Sequence, residues 1–164
     1  MAVGVYNGSC SIKDLGKVWI FSYLGNFIGA FLLSAIFVAS GASRGILTEY
    51  YESFVFSKLE LTSLELLLRG VMCNFLVCLA VWIGVRMKSE SGKIMVMSMV
   101  IMAFVVTGFE HCIANMAIFS ISGMILDGLD MALVMKSMFF VTIGNILGGG
   151  VLLALPLKLM SGEK

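Results

Sequence analysis

The chain has 164 residues, of which 60% are apolar and only 13% charged, with a net charge of +1. Its mean hydropathy is +1.04. A soluble domain carries about 25% charged residues, so these values exclude an ordinary water-soluble fold, and the near-neutral charge gives no electrostatic footprint for nucleic acid.

A membrane-crossing helix needs about 20 apolar residues, and four stretches qualify. The first runs over Val18–Ser40 and is entered through Ser11, a candidate N-cap, and an amphipathic turn carrying Lys13, Asp14 and Lys17. A long connection, Gly41–Thr62, leads to the second stretch, Ser63–Val85. Arg86–Lys93 leads to the third, Ile94–Leu126. Asp127–Asp130 leads to the fourth, Ala132–Leu159, with Pro156 near its end. None alternates with the period of two that barrel strands show. The expected fold class is therefore an all-α integral membrane protein.

Orientation follows from lysine and arginine. Lys13, Lys17, Arg86, Lys88, Lys93, Lys158 and Lys164 fall on one side, and Arg44, Lys58, Arg69 and Lys136 on the other. Seven against four places the first side, and with it the C-terminus, in the cytoplasm.

The third stretch is too long for one plain span and carries Glu110, His111 and Asn115 in its middle. A charge at mid-bilayer costs about 2.5–3.5 kcal/mol on insertion scales. Irregular backbone survives at that depth only where it is covered by protein or lines a cavity. The stretch thus reads as two half-helices joined by a break near Glu110–Asn115. The half-helix from Met116 to Leu126 would point its N–H groups and positive dipole end at the midplane, which favours an anion. His111 is the only histidine of the chain. With an ordinary pKa of about 6.5, it can exchange a proton or a hydrogen bond near neutral pH; read without further context, it is equally a packed structural histidine.

The first and fourth stretches share a pattern, LGNFIGA at residues 24–30 and IGNILGG at 143–149. Gly25 and Gly29, like Gly144 and Gly148, have the small-xxx-small spacing that lets helix backbones approach, and Asn26 and Asn145 are placed to hydrogen-bond at helix crossings. The two helices run in opposite directions across the membrane, as in an inverted repeat. The fourth is preceded by a plain helix and a broken one. The first would need the same, so the chain is expected to be the C-terminal portion of a six-helix unit, with residues 1–8 as the tail of a broken helix.

NFLVCLAVW (74–82), AFVVTGFEHCIANM (103–116) and TIGNILGGG (142–150) resemble the formate/nitrite transporter family, over nearly the whole chain. The resemblance, nearest to the family's hydrosulfide channel, implies homopentamers of six-helix, aquaporin-like protomers that pass hydrosulfide, formate or nitrite. It makes His111 the central pore residue, with Asn74 near it, and Phe104 and Val77 the constriction on either side. It makes Lys58, in the long outer connection, a vestibule residue that concentrates anions. Glu110 would repel the cargo if it lined the path, so it and Asn115 are expected to brace the break. Arg69 is read as structural, snorkelling to the interface or pairing with Glu65. The first helix and most of the first broken helix of a family protomer are not represented here; the N-terminal part is expected as a separate polypeptide of the same protomer.

The four cysteines have no metal-ligand spacing, and one histidine gives no haem, metal or catalytic constellation. No cofactor and no enzymatic activity are expected. The alternatives to an anion channel are a proton-coupled formate or nitrite transporter, since one titratable histidine suits both, and a non-conducting membrane scaffold fragment.

Overall fold

The computed structural model describes residues 1–42 and 44–161, the side chains of residues 46–49 excepted. Lys164, counted above for orientation, lies outside them. The described residues form helices in the order α1 (Ala2–Tyr6), α2 (Ile12–Ala39), α3 (Arg44–Leu59), α4 (Ser63–Arg86), α5 (Glu90–Val106), α6 (Cys112–Ile125) and α7 (Met131–Leu147), a π-helical stretch (Gly148–Leu153) and α8 (Ala154–Met160).

Three of these, α2, α4 and the continuous Met131–Met160 rod, are long and apolar enough to cross a membrane, and α6 is a shorter apolar helix. Helix α2 starts earlier than its apolar run: Ser11 Oγ accepts from Asp14 N–H at 3.1 Å, so the amphipathic entry turn is already helical. Helix α4 starts at a capping box. Thr62 Oγ1 accepts from Glu65 N–H, and the Glu65 carboxylate accepts from Thr62 N–H at 2.8 Å, which satisfies two otherwise orphaned donors.

The fourth rod changes pitch in its C-terminal half. Pro156 has no N–H for the Leu152 carbonyl, and its ring crowds that carbonyl. The π-helical stretch immediately before α8 widens the turn there.

The segment 41–62, expected as a loop, is largely the helix α3. Val55 and Leu59 are buried against Phe119 of α6 and Val134 of α7, with Tyr51 packed alongside. Residues 51, 55 and 59 share one helical face, and that apolar stripe turns the connection into a helix lying on the break. The Tyr51 hydroxyl donates to the Ile118 carbonyl and fixes α3 to α6.

Helices α4 and α7 cross at glycine. A Cβ on Gly70 would lie 2.9 Å from the Val141 carbonyl oxygen, and Cβ atoms on Gly144 and Gly148 would collide with the Leu67 and Val71 carbonyls. The small-xxx-small reading of the fourth span is therefore a backbone contact. Gly25 and Gly29 on α2 meet nothing within 4 Å among the described residues. Apart from Leu15 and Ser34, α2 is scarcely buried, and Phe21, Leu33 and Ile36 are exposed.

Candidate functional site: the broken helix around His111

Helix α5 ends at Thr107, and Gly108 takes a φ of +70°, a left-handed conformation that glycine adopts without strain. The Phe109 N–H closes back on the Phe104 carbonyl at 3.1 Å, and the Glu110 N–H reaches across to the Arg69 carbonyl of α4 at 3.4 Å. Helix α6 then begins. His111 is its N-cap (φ −111°, ψ 120°), with Nδ1 accepting from the Ala114 N–H at 3.4 Å. Between α5 and α6 the chain is non-helical over residues 107–111, which overlaps the expected break at Glu110 and His111 and starts three residues earlier.

Glu110 is 1% exposed. Both its carboxylate oxygens accept from Lys58 Nζ at 2.8 Å, and Oε2 also accepts from Asn115 Nδ2 at 2.8 Å. Lys58 Nζ donates further to Asn115 Oδ1 at 3.3 Å. Three polar side chains from α3, the break and α6 thus close a ring of hydrogen bonds. A buried carboxylate is tolerated when a cation and hydrogen bonds compensate its lost hydration, and here one of each does. Lys58 is 8% exposed and bound inside this ring. It is not a solvated vestibule charge, and its position on α3 is the reason: residue 58 follows Val55 by one turn, on the face that meets the break.

Asn145 of α7 grips the break from the other side. Its Nδ2 donates to the Gly70 and Glu110 carbonyls, each at 2.9 Å, and its Oδ1 accepts from the Cys112 N–H at 2.9 Å. Its own carbonyl accepts from Asn74 Nδ2 at 2.6 Å. The side chain is tied to α4, to the peptide before His111 and to the peptide after it. The sequence signal for this was the Gly-Asn-x-x-Gly frame, which placed an asparagine at a crossing without saying which backbone it would reach.

His111 and Asn74 open together onto a cleft of about 570 Å³, whose wall also carries Thr142, Cys78, Trp82 and Trp19. The Phe104 ring stands 6.2 Å from the His111 ring, centroid to centroid. Val77 is half-buried on α4 and does not line this cleft. Arg69 directs Nη1 to the Gly108 carbonyl at 3.4 Å and so touches the N-terminal side of the break. Two of the first N–H groups of α6 are used internally, Cys112 by Asn145 and Ala114 by His111. The helix end is therefore less open to a ligand than helix length alone implied. With Nδ1 committed to a backbone donor, Nε2 is the ring nitrogen left to face the cleft. Glu110 is neutralised and turned away. Chemically, the site offers a histidine donor in an apolar, glycine-walled cleft with no uncompensated carboxylate. Among the described residues no group of histidine, cysteine and carboxylates is arranged to hold a metal ion.

Comparison with known proteins agrees with this architecture. Residues 1–159 match the sequence profile described as Formate/nitrite transporter. The chain is 30% identical over 158 residues to the nitrite transporter NirC of Escherichia coli (strain K12), covering 94% of this chain and 59% of that protein. It superimposes on a solved FNT family ion channel with a TM-score of 0.89 at 28% identity, covering 97% of this chain and 65% of the other. It also superimposes on a pentameric formate channel with formate bound, with a TM-score of 0.76 at 30% identity, covering 94% and 69%. The chain spans somewhat under three fifths of the length of the first curated relatives it matches.

Proposed function

Because this chain belongs to the formate/nitrite transporter family, we propose that it forms, in a homopentamer, a membrane pathway for small monovalent weak-acid anions: hydrosulfide first, with formate and nitrite as related cargo. The chain takes the part of a six-helix protomer that carries the His111 break, in the cell membrane, with its C-terminus on the cytoplasmic side as the seven-to-four lysine and arginine balance directs. The single observation that carries the reading is the charge arrangement at the break. The Glu110 carboxylate is locked to Lys58, while His111 lines the cleft.

An anion entering an apolar constriction loses water, and an apolar ring such as Phe104 raises that barrier. A neutral imidazole N–H compensates at the narrowest point by donating a hydrogen bond. A weak-acid anion has a second route, since it can take up a proton and cross as the neutral acid. Strong-acid anions of similar size lack that route. Asn74, with Nδ2 committed to Asn145, braces the histidine's surroundings, and Phe104, beside the His111 ring, narrows the path.

The test is flux into liposomes containing the whole protein, for hydrosulfide, formate and nitrite separately, with His111→Phe beside it. Wild-type flux for at least one of the three, falling by about tenfold or more in His111→Phe, is the expected result. Wild-type vesicles that pass none of them overturn the reading.

A further inference from the structure

We propose that Asn145 is the positioning residue of the central histidine, holding His111 in one ring orientation and one tautomer by gripping the peptide units on both sides of it. The inference rests on the transport reading for its functional consequence, but its structural content stands apart.

Asn145 Nδ2 binds the carbonyl of Glu110, the residue before His111, and Oδ1 binds the N–H of Cys112, the residue after it. A single amide therefore fixes the two peptide planes that set φ and ψ of His111. The third bond, to the Gly70 carbonyl, references the whole arrangement to α4. The backbone of Asn145 is in turn held by Asn74 and by the Gly148 N–H at the start of the π-helical stretch. With its peptides fixed, His111 keeps Nδ1 on the Ala114 N–H. An N–H donor there requires an unprotonated Nδ1, so the neutral ring carries its proton on Nε2. The Phe104 ring stands 6.2 Å from the imidazole, centroid to centroid, and offers no acceptor for an Nδ1 proton.

Only an amide does this work. Aspartate at 145 keeps the acceptor for Cys112 but faces the Gly70 and Glu110 carbonyls with oxygen instead of N–H. Alanine removes all three bonds.

His111 is the only histidine of these 164 residues, so a 15N-histidine label introduced into this chain alone before assembly reports on it. The wild type is expected to show one dominant Nε2–H tautomer near neutral pH. Asn145→Asp and Asn145→Ala, in protein that still assembles, are expected to show mixed tautomers, with anion flux down by about tenfold or more. A merely structural role would lower thermal stability and leave the histidine spectrum alone. An unchanged spectrum in an assembled variant overturns the proposal. So does a wild-type spectrum with both tautomers equally populated, even if neither variant assembles. Wild-type vesicles without flux would instead refute the transport reading and leave the spectrum to decide this one.

Discussion

Among the described residues, Lys58→Met removes the cation bound to the Glu110 carboxylate and leaves that carboxylate buried with one donor, Asn115 Nδ2. Removing one partner of a buried pair costs about 3–5 kcal/mol, or roughly two to three and a half decades in the folding equilibrium. The lysine here is 10% exposed in its side chain and the glutamate 2%, so solvent cannot screen the loss as it does for surface pairs. Glu110→Gln is milder, because the amide still offers Lys58 a carbonyl acceptor. The double variant Lys58→Met/Glu110→Gln removes both charges and retains an amide beside Asn115. It is expected to recover most of what Lys58→Met loses, with a coupling of at least about 2 kcal/mol in the double-mutant cycle. The assay is reversible unfolding in mixed micelles at fixed protein concentration, for wild type, both single variants and the double. Lys58→Met within about 1 kcal/mol of wild type, the range of an exposed salt bridge, would refute the claim that this ring is closed and dry. So would additivity of the two single effects.

Gly148→Ala is expected to destabilise the protein by about 1–3 kcal/mol, since its Cβ would collide with the Val71 carbonyl and neither backbone can yield without parting α4 from α7; a midpoint equal to wild type in the same unfolding assay would contradict the close crossing. Thr62→Ala breaks the capping box and is expected to cost about 0.5–2 kcal/mol, with faster amide exchange confined to the first turn of α4, residues 63–66, as the local readout.

The membrane spans were legible because hydrocarbon imposes a length and a composition that nothing else in a sequence imitates. The α4 bounds differ from the expected ones by a single residue, and the Ser11 cap was visible as a residue type. The break in the third span was legible for the same reason: Glu110 and His111 have no place in a continuous lipid-facing helix. What escaped was α3. Its sequence mixes Glu52, Lys58 and serines with Tyr51, Val55 and Leu59, a pattern that reads as a polar connection until something apolar lies beneath it. The stripe at 51, 55 and 59 was the available signal.

The sequence by itself determined that this chain crosses the membrane, where one helix must break, and that the fourth span carries glycines for a close approach, though not that α4 is the helix it meets. Each follows from local chemistry against a uniform solvent: apolar length, an ionisable pair at forbidden depth, and the absence of Cβ. Only the tertiary structure decided what the polar residues do. Lys58, expected as an anion-concentrating vestibule residue, is the partner of Glu110 because α3 folds over the break. Asn145 became the grip on His111 because α4 and α7 meet at van der Waals contact. A hydrogen bond is set by positions within tenths of an ångström, and partners 33 to 75 residues apart are brought to that distance by packing alone.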